Sequence, residues 1–295
     1  MGEGFLLLRR GSMQTIVWRH LVMIDHQVTQ RLSMNKPLSQ RLLSTAGLPV
    51  PDGLTFDFHD LTLARAFVEG SSLPCVVKPA GQASGTGVTC GVESRDDLER
   101  AAVRAARWGR ELLVERQAQG GEYRVLVLDG EVLGAVRRRA TQVHGDGRSS
   151  IGDLIHAENE RRITSGWASG GRVLSVDLDC LLTLRRAGYS LGSVPAEGAV
   201  VTVKTSVHEN RAEDNETVTH ISEPLAGDVR RAAAALELRL AGVDLMTPDP
   251  STTLDQSGGV ILEVNHPAGL HFHYQVADPK TATPVAVPIL NSLLG

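Results

Sequence analysis

Hydrophobic and polar positions change period several times along the chain, and each change marks an element. Residues 1–34 hold no clean period and read as a connecting segment of helices or strands. Their most apolar stretch, Phe5-Leu6-Leu7-Leu8, stops at Arg9-Arg10 and is too short for a signal-peptide core or a membrane span. From Asn35 the pattern sharpens. Asn35 is placed to cap a helix that tolerates Pro37 in its first turn and stops at Gly47. A second helix fits Asp60 to Glu69, ended by Gly70, and Cys75-Val76-Val77-Lys78 reads as a strand closed by Pro79. Gly81 to Gly87 is a glycine-rich loop. Ser94 followed by Asp97 has the spacing of a capping box, opening a helix that Gly109 ends.

Leu112 to Glu115 reads as a strand. Glu122–Leu128 and Glu131–Arg137 form a hairpin across Asp129-Gly130, a two-residue signal for a tight turn. A helix fits Ser149 to Glu160, with Asp153 in its first turn. Strands are expected near 171–177, 199–206, 241–246 and 260–265, with a core-packing helix over 225–240 stopped by Gly242. Helices alternating with mostly antiparallel-looking strands predict an α+β or α/β chain with two lobes.

Composition narrows the function classes. The 295 residues are 42% hydrophobic and 22% charged, the balance of a folded globular protein. The net charge of −4 gives no global basic field, so neither nucleic acid nor membrane is an expected partner. Cys75, Cys90 and Cys180 are odd in number and lack CxxC spacing, which fits a reducing, cytoplasmic setting rather than a disulfide or zinc framework.

Charged residues at strand ends carry the chemistry. Lys78 ends an apolar strand and meets the loop Gly81-Gln-Ala-Ser-Gly-Thr-Gly87, whose freed amides beside a lysine suit a polyphosphate; a surface lysine and an ordinary hairpin loop is the alternative. Glu263 and Asn265 are two apart on a strand and share a face, and Asp244 interrupts another apolar strand. Two carboxylates and an amide oxygen are the hard ligands that Mg²⁺ prefers. Singly, each could instead mark a strand end or a turn. In Arg137-Arg138-Arg139 the middle arginine would face inward. His271-x-His273 lacks a third ligand at metal spacing.

The set Lys36, Lys78-Pro79 with its glycine loop, Glu115, Glu122, Asp244 and Glu263-x-Asn265 resembles an ATP-grasp ligase. More narrowly it is similar to the ATP-grasp module of cyanophycin synthetases and related amino-acid and peptide ligases. Lys36-Pro-Leu-Ser-Gln-Arg-Leu-Leu-Ser-Thr-Ala-Gly-Leu-Pro-Val-Pro-Asp-Gly, Gly120-Gly-Glu-Tyr-Arg-Val-Leu-Val, Gly145-Asp-Gly-Arg-Ser-Ser-Ile-Gly-Asp-Leu-Ile and Ile261-Leu-Glu-Val-Asn carry the likeness. The resemblance implies an α+β ATP-grasp fold with ATP bound between two lobes. The connecting segment would be 1–35, the small lobe 36–121 and the large lobe 122–295. Lys36 and Lys78 would contact ATP, Ser84, Gly85, Thr86 and Gly87 would cover its phosphates, Glu115 would face the adenine and Glu122 would hold the ribose. Asp244, Glu263 and Asn265 would bind two Mg²⁺, with Mn²⁺ able to substitute, and Arg138 would serve catalysis beside the γ-phosphate and acyl phosphate.

The implied reaction joins a carboxylate to an amine through an acyl phosphate, releasing ADP and phosphate, with amino acids or short peptides as substrates. A small-molecule kinase and a non-catalytic ATP-binding subunit are the alternatives. Four departures bear on substrate. The chain ends at Gly295, soon after the pattern, so polymer synthesis is not expected. Residues 1–34 are too short for a full preceding domain, so a homodimer mate, a partner protein or a carrier-bound substrate would complete the pocket. The loop Glu209-Asn-Arg-Ala-Glu-Asp-Asn-Glu216 is charged where the family is rich in Gly and Thr, which makes Asn210 and Arg211 candidate substrate contacts. His271 stands where the family carries an arginine, while His273 matches and joins the substrate candidates.

Overall fold

A computed structural model of the protein describes residues 4–82, 85–164 and 172–295. In chain order the strands are β1 (Phe5–Arg10), β2 (Met13–Trp18), β3 (Leu21–Val22), β4 (Gly53–Asp57), β5 (Cys75–Pro79), β6 (Thr89–Val92), β7 (Glu111–Arg116), β8 (Gly121–Leu128), β9 (Glu131–Arg138), β10 (Gln142–His144), β11 (Val200–Thr202), β12 (Asn215–Val218), β13 (Leu240–Thr247) and β14 (Val260–Asn265). The α-helices are α1 (Gln27–Met34), α2 (Lys36–Thr45), α3 (Thr62–Glu69), α4 (Arg95–Ala106), α5 (Ile151–Thr164), α6 (Leu178–Arg186), α7 (Glu223–Ala235), α8 (Leu254–Ser257) and α9 (Ala286–Leu294). Contacts divide them into two compact units: Met1–Val50 with Ala118–Arg137 and Asn215–Gly295, and Pro51–Gln117 with Arg138–Asp214.

The first unit is built on a sheet of order β12-β9-β8-β13-β14. Side chains alternate across β8, so Tyr123, Val125 and Val127 join one core with Val243 and Leu245 of β13 and Leu225, Val229 and Ala232 of α7. Leu126 and Leu128 face the other way, into a second core with Leu240, Ala268, Val285 and Ile289. Opposite Asp244 and Leu245, β14 supplies Glu263 and Ile261 and leaves Leu262 unpaired, a bulge. That one extra residue lets Ile261 and Val264 both reach the core. It also puts Glu263 level with Asp244, and Asn265 level with Gly242. The first residues of the chain, expected only as a connector, form the meander β1-β2-β3, and Val22 and Ile24 pack against the second core.

The second unit carries a sheet of order β4-β7-β5-β6, whose paired strands run antiparallel. Cys75 and Val77 of β5 and Leu112 and Val114 of β7 face Leu98, Ala101 and Ala105 of α4. Alternation then sends Lys78 and Glu115 to the opposite face. A separate core joins Val143 and Val201 of the β10–β11 pair to Ile151 and Ile155 of α5 and Leu184 of α6.

Helix starts follow the capping chemistry of the sequence. Asn35 Oδ1 accepts from the Leu38 amide at 3.1 Å, and Ser94 Oγ from the Asp97 amide at 3.2 Å. Ser150 and Asp153 exchange bonds reciprocally at the head of α5, each backbone amide donating to the other's side chain at 3.2 Å. In the hairpin turn Asp129 and Gly130 have φ of 49° and 82°, the left-handed pair that a tight two-residue connection requires.

Three expectations are corrected. The described part of 171–177 is irregular rather than a strand, because Asp177 caps α6 by accepting from the Cys180 amide at 3.1 Å; residue 171 lies outside the described residues. The helix over 225–240 ends at Ala235, where the chain turns through Glu237 at φ 53°. Gly242 therefore lies inside β13, where a Cβ would collide with the Ala268 carbonyl oxygen. The strand near 199–206 shortens to Val200–Thr202. The partition also differs from contiguous lobes at 36–121 and 122–295: Leu43 and Leu48 bury in the core of the first unit, and residues 138–214 belong to the second. Among the described residues no helix is long and apolar enough to cross a membrane. All three cysteines are buried and unbridged.

Two glycines should respond in opposite directions. Gly242→Ala forces a methyl onto the Ala268 carbonyl and is expected to destabilise by about 1–3 kcal/mol. Gly227 sits within α7, and a methyl there would meet nothing within 4 Å, so Gly227→Ala should stabilise by about 0.5–1 kcal/mol. Urea denaturation of both variants beside the parent checks the signs.

Candidate functional site

The site residues of the first unit converge on β13 and β14. Asp244 and Glu263 are directly opposite on the two strands. Asn265 Nδ2 donates to Asp244 Oδ2 at 3.0 Å and to the Gly242 carbonyl at 3.3 Å. Lys36, at the start of α2, donates its ammonium to Glu263 Oε1 at 2.7 Å and is 8% exposed. Arg124 on β8 lies in register with Asp244, donates Nε to Oδ1 at 2.6 Å and places Nη2 on Oδ2. This is a bidentate, charge-assisted pair. Burial alone works against the Arg124 charge, but Asp244 outweighs it and keeps the guanidinium protonated. Arg124 also lies 4.7 Å over the Phe272 ring.

The structure thus brings Lys36, Asp244, Glu263 and Asn265 together, with Arg124 added. Arg124 was legible in principle: it shares a β8 face with Leu126 and Leu128, and an arginine on a buried face requires a carboxylate. Glu122 is the second residue of β8, level with Met246, and is half-buried. His273 is fully buried in a 3₁₀ turn after β14, with no hydrogen-bond partner for either ring nitrogen among the described residues. Burial, reinforced by the charges of Arg124 and His271, pushes its pKa down to about 4.

In the second unit, Lys78 and Glu115 lie diagonally across the β5–β7 pair, with Nζ 2.5 Å from Oε2 and both side chains buried. Gly85 and Gly87 take left-handed φ of 68° and 74°. A Cβ on Gly85 would collide with the His208 ring, and one on Gly87 would meet Pro79 at 2.9 Å, so this stretch must be glycine. Thr86 is half-buried between them, and Ser84 lies outside the described residues. Arg137, Arg138 and Arg139 alternate exposed, buried, exposed, as strand geometry dictates. Inward-facing Arg138 donates Nη2 to the Val207 carbonyl at 3.1 Å.

Asn210 is buried near this carbonyl in sequence, while both Nη atoms of Arg211 are engaged by Glu158 at 3.1 Å and Glu213 at 2.8 Å. Arg211 is therefore held by the protein's own carboxylates. Lys204 is the largest fully buried side chain among those described. Its ammonium reaches Asp177 at 2.8 Å, Ser175 Oγ at 3.1 Å and Glu209 at 3.4 Å. It follows the β-rich run Val200-Val-Thr-Val203 as Lys78 follows its own strand, but without the glycine-rich loop that singled out Lys78.

Whether this donor set suits a divalent ion is a matter of its chemistry. No group of three or more His, Cys, Asp or Glu side chains fit for a metal occurs among the described residues. Two facing carboxylates and an amide instead offer the oxygen donors that Mg²⁺ prefers, and an ion would replace the contacts that Arg124, Asn265 Nδ2 and Lys36 now make to those oxygens. The residues fit.

Two outcomes are expected. His273 has a folded pKa near 4 against about 6.5 unfolded, so between these values the unfolded chain holds the extra proton. Stability attributable to His273 is complete above pH 6.5 and is lost on acidification toward 4, at up to about 1.4 kcal/mol per pH unit. Denaturation of His273→Gln across that range should show a slope shallower by one proton. Arg124→Met leaves the Asp244 carboxylate buried without its cation and should cost about 3–5 kcal/mol. The double variant Arg124→Met/Asp244→Leu, measured by the same denaturation, should recover much of that loss.

Residues 42–146 match the family described as D-ala D-ala ligase C-terminus. The chain is 33% identical over 248 residues to cyanophycin synthetase of Trichormus variabilis, covering 82% of this chain and 27% of that protein. It is 28% identical to the glutathione biosynthesis bifunctional protein GshAB of Enterococcus faecalis, covering 92% of this chain and 37% of the relative. The chain thus spans between about a quarter and two fifths of the relatives it matches. The fold is shared with a bifunctional glutathione synthetase from Pasteurella multocida, with a TM-score of 0.60 at 23% identity over 99% of this chain and 40% of that one. Over most of its length the chain is similar in sequence to these ligases, and its fold is that of the ATP-grasp ligases.

Proposed function

We propose that this chain catalyses ATP-dependent ligation of a carboxylate to an amine, with amino acids or short peptides as substrates. The observation that carries the reading is the convergence of Asp244, Glu263 and Asn265 on adjacent strands, with Lys36 and Arg124 in direct contact. Those oxygens would hold Mg²⁺, which when bound offsets the negative charge of ATP phosphates. The relatives support the amino-acid class of substrate: the named products of the two sequence relatives are amide-linked amino acids.

A carboxylate attacking a γ-phosphate is anion against anion, so the protein's task is to supply fixed positive charge and positioning. Lys78, held by Glu115, and Arg138, held by the Val207 carbonyl, are the cations of the second unit assigned to the phosphates. The backbone around Gly85 and Gly87, free of side chains, would accept phosphate oxygens on its amides. Glu115 would face the adenine and Glu122 the ribose. Lys36 would exchange its contact with Glu263 for nucleotide oxygen. The acyl phosphate so formed is attacked by the amine, giving the amide and inorganic phosphate. No nucleophilic side chain is needed, and the buried, unbridged cysteines supply none.

The test is phosphate release with ATP and Mg²⁺ over pairs of amino acids, with mass spectrometry of each active mixture. A product equal to two substrates minus water is expected. Glu263→Gln should lower its formation by about 100-fold or more while circular dichroism stays unchanged. A phosphorylated product would mean a kinase, and ATP binding without turnover across the set would mean a non-catalytic nucleotide-binding chain.

A further inference from the structure

His208 has no part in the reaction as described so far, yet it is the imidazole packed on the glycine-rich stretch. The Gly85 backbone lies so close that a Cβ there would stand 2.5 Å from His208 Cβ and 2.6 Å from Nδ1. The ring therefore packs directly on the Gly85 backbone.

The ring is also oriented. Nε2 lies 3.4 Å from Glu209 Oε1, whereas Nδ1 is buried and has no hydrogen-bond partner among the described residues. Glu209 is itself fixed from several sides. Ser175 donates its hydroxyl to Oε1 at 2.6 Å and its amide to Oε2 at 3.0 Å, and Lys204 stands 3.4 Å from Oε2. Burial alone would raise the Glu209 carboxyl, but His208, Lys204 and Ser175 together hold it at about 2, so it is ionised. The backbone on both sides of His208 is pinned by buried guanidiniums: Arg138 binds the Val207 carbonyl at 3.1 Å, and Arg162 binds the Glu209 carbonyl at 2.6 Å. An ionised carboxylate beside Nε2 draws the ring proton to that nitrogen and leaves Nδ1 with its lone pair.

A carboxylate-oriented imidazole with a bare, buried nitrogen is the arrangement of a general base. An attacking amine must shed a proton, and such a base would accept it. Resting on the ligase reading, we propose that His208 is the general base of amide formation, oriented by Glu209, and that it accepts the amine proton at Nδ1. The amine lone pair forms the C–N bond at the acyl carbon. The C–O bond to phosphate breaks, its electron pair leaves on inorganic phosphate, and the proton lost from nitrogen passes to Nδ1. The imidazolium so formed is balanced by Glu209. Arg138, one residue away through the Val207 carbonyl, is the cation placed to face the departing phosphate.

Hydroxylamine separates this role from a structural one, since it is basic enough to attack acyl phosphates yet is already neutral near pH 7. Wild type and His208→Asn are compared in hydroxamate formation and in amide formation, using ATP, Mg²⁺ and the amino-acid carboxylates of the screen above. The ratio of amide to hydroxamate should fall by about 100-fold or more in His208→Asn. Nitrogen-15 NMR of the full chain, with the His208 signal identified by its loss in His208→Asn, should show the Nε2–H tautomer, and Glu209→Gln should weaken that preference. A parallel fall of both products, an unchanged ratio, or an Nδ1–H tautomer in the wild type would overturn the assignment. Failure of the wild type to form hydroxamate with any carboxylate would overturn the acyl-phosphate reading instead, and the tautomer would still decide whether His208 is oriented as a base.

Discussion

A carboxylate in the middle of a buried strand is tolerated only when a cation faces it, and the first unit is organised around that requirement at Asp244. Arg124 answers it from the neighbouring strand through two hydrogen bonds. The pair also fixes register. Sliding β8 by one residue would turn Arg124 into the core of Tyr123, Val125 and Val127 and bring Leu126 or Leu128 out of theirs. With β13 fixed against β8, the Leu262 bulge sets β14 so that Glu263 faces Asp244 without withdrawing Ile261 from the core. Apolar packing and the placement of oxygen ligands are thus solved by the same strand pairing.

The second unit meets the same requirement with lysines. Lys78 is matched by Glu115 across one strand pair, and Lys204 by Asp177 and Glu209 drawn from irregular backbone. Arg104 and Ser175 also bind Asp177, and Arg162 and Arg211 share Glu158. Such networks cost more to desolvate than apolar cores of equal volume, and their return is in fixed orientation rather than in stability. His208 and Arg138 both take their orientation from this network.

Local chemistry was legible in the sequence where a short-range rule decided it. Asn35 and Ser94 cap as expected, Asp129-Gly130 turns as expected, and Arg138 is buried between exposed Arg137 and Arg139. Adjacent strands could also be inferred to carry Asp244, Glu263 and Asn265 on one face. What escaped depended on long-range partners. The face Arg124 shares with Leu126 and Leu128 marks it as buried, but its partner Asp244 is identified only once β13 lies beside β8. Asp177 reads as part of a strand until its side chain caps α6. The helix ending at Ala235 has no glycine stop, because Glu237 itself takes the left-handed turn, and Gly242 is reserved for the close approach of Ala268. Arg211 looked available until Glu158 and Glu213 closed on it.

The interleaving of the two units sets an order on synthesis. Every stretch of the second unit lies before Asn215, whereas the first unit needs Asn215–Gly295. A chain still on the ribosome at residue 214 can complete the β4-β7-β5-β6 sheet. At that stage β8 and β9 have no β13 or β12 beside them, and β8 presents an unpaired edge with Val125, Val127 and Leu126 uncovered. The chain is most exposed to misassociation just before β13 and β14 emerge, and the element that ends that exposure is the strand bearing Asp244.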